Sequence, residues 1–180
     1  MKPETSARLR SILCTLAPFV TGIALLFASA EFARAQTEGG TRDFSLFVGY
    51  MLPDHIDGVT EILPLWGARY TYGWPVGAFE FSAENSHSEG VSWTSFGVSV
   101  RGEAPLAPGI AALLYGGPSF HYFRPAGDTV RHGDFGVHFG IAGLMLVSNT
   151  LWLRTDLKYL GGPGSALYLK IGLMFRAGGG

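Results

Sequence analysis

Polar and apolar side chains alternate residue by residue through much of this chain, most regularly near its end. Leu151, Leu153, Thr155, Leu157 and Tyr159 share one parity, and Trp152, Arg154, Asp156, Lys158 and Leu160 share the other. After Gly161-Gly162-Pro163-Gly164 the alternation resumes. Leu167, Leu169, Ile171, Leu173 and Phe175 then oppose Tyr168, Lys170, Gly172 and Met174. Successive side chains of a strand leave opposite faces, so these runs predict a hairpin with one apolar face and one polar, charged face.

The same period predicts six earlier strands. In residues 44–52, Phe44, Leu46, Val48, Tyr50 and Leu52 oppose Ser45, Phe47, Gly49 and Met51. In residues 63–74, Pro64, Trp66, Ala68, Tyr70, Tyr72 and Trp74 oppose Leu65, Gly67, Arg69, Thr71 and Gly73. Past a Pro75-Val76 turn, Phe79, Phe81 and Ala83 oppose Glu80, Ser82 and Glu84. In residues 93–102, Phe96, Val98 and Val100 oppose Ser95, Gly97, Ser99 and Arg101. Residues 110–123 show no clear parity, and Gly116-Gly117-Pro118 predicts a bend or bulge within them. The sixth strand sets Phe135, Val137, Phe139, Ile141, Met145 and Val147 against Gly136, His138, Gly140 and Ala142. Polar stretches at 53–61, 85–90 and 124–134 read as loops. The proline-punctuated stretch 103–109 and Ser148-Asn149-Thr150 read as tighter connections.

Alternation alone does not say which face meets which solvent; the start of the chain bears on that. Lys2, Arg8 and Arg10 precede an almost wholly apolar run, residues 11–30, and Ala33-Arg34-Ala35 has the small-x-small form of a signal-peptidase site. The expected organisation is a cleaved signal peptide over 1–35, a short lead over 36–43, one domain over 44–176 and a glycine-rich tail over 177–180. The apolar run is also long enough to span a bilayer, so an uncleaved anchor is the alternative. The only cysteine, Cys14, lies inside this segment, and Ser11-Ile12-Leu13 before it lacks the small residue expected next to a lipidated cysteine. The mature chain therefore has neither disulfides nor thiolate metal sites. Its Lys and Arg number 9 against 12 Asp and Glu, with no basic patch to suggest nucleic acid.

After the signal, no stretch approaches the length of a membrane helix. If the mature chain enters a membrane it must do so as a closed barrel, which satisfies every backbone group in lipid. Eight strands of roughly nine to thirteen residues suit a tilted crossing. The connections after strands one to six run long, short, long, medium, long, short, as long external loops and short periplasmic turns would. Arg69, Glu80, Glu84, Arg101, Arg154, Asp156, Lys158 and Lys170 all fall on one parity. The opposite parity of strands one to four and six to eight carries no charge. A charge facing lipid at mid-depth costs roughly 2–4 kcal/mol. Trp66 and Trp74 bracket the apolar face of the second strand at a spacing of about 20 Å of depth, near that of two interfacial girdles. Phe44 with Tyr50, and Tyr159 with Phe175, fit the same girdles. The expected fold is an all-β, eight-stranded antiparallel up-and-down transmembrane barrel.

The whole mature chain resembles the eight-stranded outer-membrane β-barrel family of Gram-negative bacteria, the OmpA/OmpX and opacity-protein type. The stretches that carry the likeness are Phe44-Ser45-Leu46-Phe47-Val48-Gly49-Tyr50, Leu153-Arg154-Thr155-Asp156-Leu157-Lys158-Tyr159 and Lys170-Ile171-Gly172-Leu173-Met174-Phe175. The last is similar to the insertion signal read by the barrel-assembly machinery, although this chain continues through Arg176-Ala177-Gly178-Gly179-Gly180. The resemblance covers the barrel alone. It implies a place in the cell outer membrane, contact with outer-membrane lipids and lipopolysaccharide, and insertion by that machinery.

An eight-stranded barrel has an interior just wide enough to be filled by side chains. The eight inward charges, with Tyr168 and Met174, therefore predict a plugged lumen held by ion pairs; a narrow ion or small-solute path is the alternative. Loops on a rigid scaffold are where binding tends to reside. The external-loop candidates are Asp54, His55, Asp57, His87, Glu89, Arg131, His132 and Asp134, toward adhesion, lipopolysaccharide or a host surface. Three histidines among carboxylates suit a transition metal in type, but no ligand spacing supports one, and no cofactor is expected.

Some barrels of this size hydrolyse lipid A acyl chains, and Glu84-Asn85-Ser86-His87-Ser88-Glu89 holds the residue types such an enzyme uses. Its order does not match that family's His-x-Ser-Asn signature. His121, followed by Tyr122 and Phe123, fails it too. Catalysis is not expected, and lipid A hydrolysis stays the second alternative. A soluble β-sandwich is a third class. The expectation is a monomeric structural or surface-interacting barrel.

Overall fold

The computed structural model describes residues 41–177, except His55, Asp57, Thr60, Pro75, Val76, Glu89, Pro163 and the side chain of Trp74. The expected signal peptide, residues 36–40 of the lead and Gly178, Gly179 and Gly180 of the tail lie outside the described residues. Eight strands follow one another: β1 (Arg42–Asp54), β2 (Leu63–Trp74), β3 (Gly77–Ser88), β4 (Val91–Ala107), β5 (Ile110–Arg124), β6 (His132–Ser148), β7 (Leu151–Gly161) and β8 (Ser165–Ala177). Each pairs antiparallel with the next, and β8 pairs with β1, so the sheet closes on itself. Among the described residues there is no helix.

Closure fixes the stagger. Partners can be followed once around from Arg42 through Tyr72, Phe79, Val100, Gly116, Phe139, Tyr159 and Leu167 to Leu52, ten residues further along β1. An even stagger keeps every side chain on its own face through closure, and it is what tilts the strands against the barrel axis.

The strands are longer than the alternation predicts, at 11 to 17 residues. Residues 85–88, expected in a loop, are the end of β3: Asn85 pairs with Thr94 and Ser88 with Val91, the first residue of β4. The expected connection 103–109 is likewise paired up to Ala107, and the expected loop 124–134 shrinks to 125–131. Residues 85–88 are polar on both faces, and in 103–107 Pro105 interrupts an otherwise largely apolar stretch. Alternation then stops signalling a strand while the backbone is still paired.

The expected bulge at Gly116-Gly117-Pro118 is not present. Gly97 pairs with Ser119 and Val100 with Gly116 in one register; the irregularities sit beside turns instead, at Pro105/Ala107 and Leu146/Ser148. β5 does have a parity: Ala111, Leu113, Tyr115, Ser119 and His121 point inward and are buried. It was hidden because the inward side of its first half is itself apolar. Those residues pack with Ala142, Leu144, Met174 and Trp152.

Outside, the barrel is hydrophobic. Leu46, Val48, Trp66, Phe81, Phe96, Phe135, Val137, Ile141, Leu169 and Leu173 are all exposed, Phe135 to 76% and Trp66 to 63%. Inside lie Asp43, Arg69, Glu80, Glu84, Arg101, Arg154, Asp156, Lys158 and Lys170, each at most 5% exposed. A continuous apolar surface of this kind is far larger than water-soluble monomers carry, and the polarity is inverted relative to a soluble sandwich.

Candidate functional site: the lumen and its loop-end mouth

Ion pairs cross the lumen. Arg154 on β7 donates through Nη1 and Nη2 to the carboxylate of Glu80 on β3, the Nη2 contact at 3.2 Å. In a ring of eight these are opposite walls. Arg154 also holds Asp156, two residues along its own strand, through Nε (3.0 Å) and Nη2 (2.8 Å). Arg69 on β2 closes the set by donating to Asp156 Oδ2 at 3.0 Å, with its guanidinium 4.0 Å over the Phe47 ring. Two cations meet two anions here, each hydrogen-bonded, the arrangement that lets charge persist away from water.

Toward the loops, Lys158 on β7 reaches back to β3 and donates to both oxygens of Glu84 at 2.7 and 2.8 Å. Lys170 on β8 donates to Glu84 Oε1 at 2.8 Å. Two ammoniums thus share one carboxylate, and this cluster carries one positive charge more than it neutralises. Toward the chain termini, Arg101 donates to Asp43 at 2.7 Å, and Arg176 bridges Asp43 at 3.0 Å and Glu103 at 2.8 Å. All eight expected lumen residues therefore lie inside and enter these three clusters.

The sequence reading missed Asp43, Glu103 and Arg176. Each continues the inward parity of its strand by one step beyond Ser45, Arg101 and Met174, so extending the period by two residues finds all three. It also missed that Gly97 makes room for an imidazole. His138 stands across Gly117 from Ser99 and bonds the Ser99 hydroxyl through Nε2 at 2.7 Å. A Cβ on Gly97 would lie 3.0 Å from the His138 ring.

The mouth at the loop end is closed by apolar side chains. Phe47, Met51, Leu63, Leu65, Val91, Trp93, Leu160, Ala166 and Tyr168 pack together, and Ile56 and Val59 from the loop between β1 and β2 are buried among them. An isolated bridge joins Ile56 to Val59 around Gly58, whose φ of 72° favours glycine. A Cβ on Gly58 would strike Pro125 of the β5–β6 loop at 2.6 Å, so the two loops meet over the lumen. The sequence showed a polar loop because two apolar residues among charged ones carry no period.

The external-loop candidates do not converge. Ser165 Oγ donates to the Asp54 carbonyl at 2.9 Å and to its carboxylate at 3.1 Å. His87 ends β3 on the outward face. Arg131 lies 5.4 Å over the Tyr122 ring, and Asp134 accepts the Phe135 amide at 2.7 Å. His132 donates through Nε2 to Asp128 at 2.9 Å, and this hydrogen bond holds the exposed Asp128 carboxyl below the usual carboxylate range. His55, Asp57 and Glu89 lie outside the described residues. Among the described residues no three His, Cys, Asp or Glu side chains gather as a metal would need.

The residues weighed for lipid A hydrolysis are separated by the strand itself. Ser86 points inward and donates to the Pro64 carbonyl, His87 points outward, and Glu84 is engaged by two lysines. Of the expected girdle, Phe44 pairs with Phe175 at the terminal end, while Tyr50, Trp66 and Tyr159 lie toward the loops, all exposed. The side chain of Trp74 lies outside the described residues.

Comparison with solved structures places this architecture. The N-terminal β-barrel domain of Pseudomonas aeruginosa OprF superposes with a TM-score of 0.63 at 11% identity, over 77% of this chain and 100% of that one. Neisserial surface protein A (NspA) gives 0.60 at 11%, over 77% and 99%. The chain has the fold of an eight-stranded transmembrane β-barrel. Ail, the attachment invasion locus protein of Yersinia pestis, gives 0.52 at 12% identity, over 78% and 100%. No protein-family model matches this sequence, and neither does any curated protein. Identity this low carries the fold and nothing finer. What transfers is the strand count, the closure and the apolar exterior.

Proposed function

We propose that this protein is a small outer-membrane barrel with a sealed lumen, acting structurally or through its external surface rather than as a pore or an enzyme. The observation that carries this reading is the pair of braces from β7 to β3, Arg154 to Glu80 and Lys158 to Glu84, beneath the apolar stopper of Ile56 and Val59. An open path needs these charges to part and the stopper to leave. Two-residue turns join the strands at the terminal end, whereas the other end carries connections of mixed length, which supports the second end as the external one. Ail, itself solved with a heparin analogue, gives a precedent for this barrel presenting a surface to anionic sugars.

The test is conductance. The refolded mature chain in planar bilayers is expected to give no reproducible opening across a wide voltage range. Openings abolished by substituting Arg154 or Glu80 would replace this reading with the narrow-channel alternative. Against lipid A hydrolysis stands the separation of Ser86 and His87 onto opposite faces. Loss of an acyl chain from lipid A on overexpression, abolished by His87→Ala, would reinstate it.

A further inference from the structure

The outward surface at the loop end is not uniform around the barrel. His87 pairs with Ser92 and Ser92 with Arg124, while Arg131, the loop residue before His132, lies over the ring of Tyr122, two residues before Arg124. His87, Ser92 and Arg124 share the outward parity of β3 to β5, and Arg131 continues the outward period of β6 into the loop. One step toward the terminal end lie Asn85, Thr94, Tyr122 and Gly133, with Asn85 donating to Thr94 at 3.0 Å. The next step is Ala83, Phe96, Phe120 and Phe135, the last two rings 5.1 Å apart. A basic row, a hydrogen-bonding row and an apolar row succeed one another, the order in which a bilayer leaflet passes from headgroup to acyl chain. At the loop end of β1 and β8 the outward positions are Leu52, Asp54, Ser165 and Leu167, with no base.

Arg124 closes β5 and Arg131 directly precedes β6, so two like charges stand at the loop ends of neighbouring strands. Among the described residues neither has an acidic partner. Of the described acids on this side, Asp128 is engaged with His132 and Asp134 with the Phe135 amide. Arg124 Nε is buried without a hydrogen-bond partner, and Arg131 is held against the Tyr122 ring. Two guanidiniums present the forked, planar donors that match a phosphate, and their charge suits a phosphomonoester.

We propose that Arg124 and Arg131, with His87 at the edge, bind the phosphate of a phosphorylated glycolipid in the leaflet around the loop end. The inference rests on the membrane placement proposed above and deepens it. The test uses the mature chain and its Arg124→Gln/Arg131→Gln variant, inserted into phosphatidylcholine vesicles with or without lipid A. Insertion is checked first by heat-dependent gel mobility and protease protection. Wild type is expected to retain lipid A in native mass spectrometry at least about tenfold better than the variant, and to lose that advantage with dephosphorylated lipid A. Insertion with equal retention by both chains, or equal retention of the dephosphorylated lipid, overturns the site alone. Displacement of lipid A by millimolar inorganic phosphate would assign the arginines to a free anion and overturn the lipid. Failure of wild type to insert overturns the membrane placement and the site with it.

Discussion

In the middle of the barrel opposite walls are tied by ions, whereas at the loop-end mouth they are bridged by apolar side chains. The ionic ties join residues on rigid, paired strands, β3 to β7, so each guanidinium and carboxylate is held in place by the sheet. The apolar bridge uses Ile56 and Val59 of a loop, beyond the last residue of β1. One closure is integral to the fold. The other is a segment laid on top of it, able to leave without the strands separating. The distinction matters for any barrel read as sealed, because only the second kind of closure can open while the protein stays folded.

The largest effect should follow from breaking the ionic tie. Arg154 answers both Glu80 and Asp156, so Arg154→Met leaves buried Glu80 with its nearest cations further off, Arg101 at 3.5 Å and Arg69 at 3.8 Å, and leaves Asp156 to Arg69 at 3.0 Å. A loss of about 3–5 kcal/mol is expected, as when one member of a buried ion pair is removed. Urea unfolding of vesicle-inserted protein, followed by tryptophan fluorescence, measures it. An unchanged midpoint would mean that the lumen has other means of neutralising those acids.

How much of this was legible follows the same division. The braces were readable because β3, β7 and β8 alternate without interruption, so Glu80, Glu84, Arg154, Lys158 and Lys170 could be placed inside before any partner was known. Which cation meets which acid was not readable, since that depends on the stagger of a closed ring and not on any one strand. The mouth was opaque for a different reason. Ile56 and Val59 are buried by tertiary packing of an irregular segment, and their neighbours at 54–61 are mostly polar, so local pattern pointed to solvent. β5 failed in the opposite sense, with apolar residues on both faces where one packs against lipid and the other against Leu144 and Met174.

A smaller and local effect is expected at the mouth. Truncating Ile56 and Val59 to alanine removes much of what docks the loop, roughly 1.5–3 kcal/mol for each fully buried side chain. That energy belongs to loop docking, so the global unfolding free energy should change by less than about 1 kcal/mol while proteinase K cuts within 54–62 much faster. A global loss equal to that of Arg154→Met would show the stopper to be as integral as the braces, and the contrast between the two closures would collapse.

The smallest effect should come from the one place where the ionic middle is overcharged. Glu84 accepts from both Lys158 and Lys170, and no other carboxylate lies within ion-pair distance of either ammonium among the described residues. Lys170→Met removes the surplus charge, fills similar volume beside Phe47 and Tyr168, and leaves Lys158 on both oxygens of Glu84. Its cost should stay within about 1 kcal/mol of zero, with a gain allowed, because a balanced pair replaces an unbalanced triad. Glu84→Gln does the reverse: two ammoniums then face each other with no counter-charge, and a loss approaching that of Arg154→Met is expected. The same unfolding assay compares them. If Lys170→Met proves as damaging as Glu84→Gln, the second ammonium is compensated by something beyond Glu84, and the Glu84 cluster cannot be treated as electrostatically separate from the rest of the lumen.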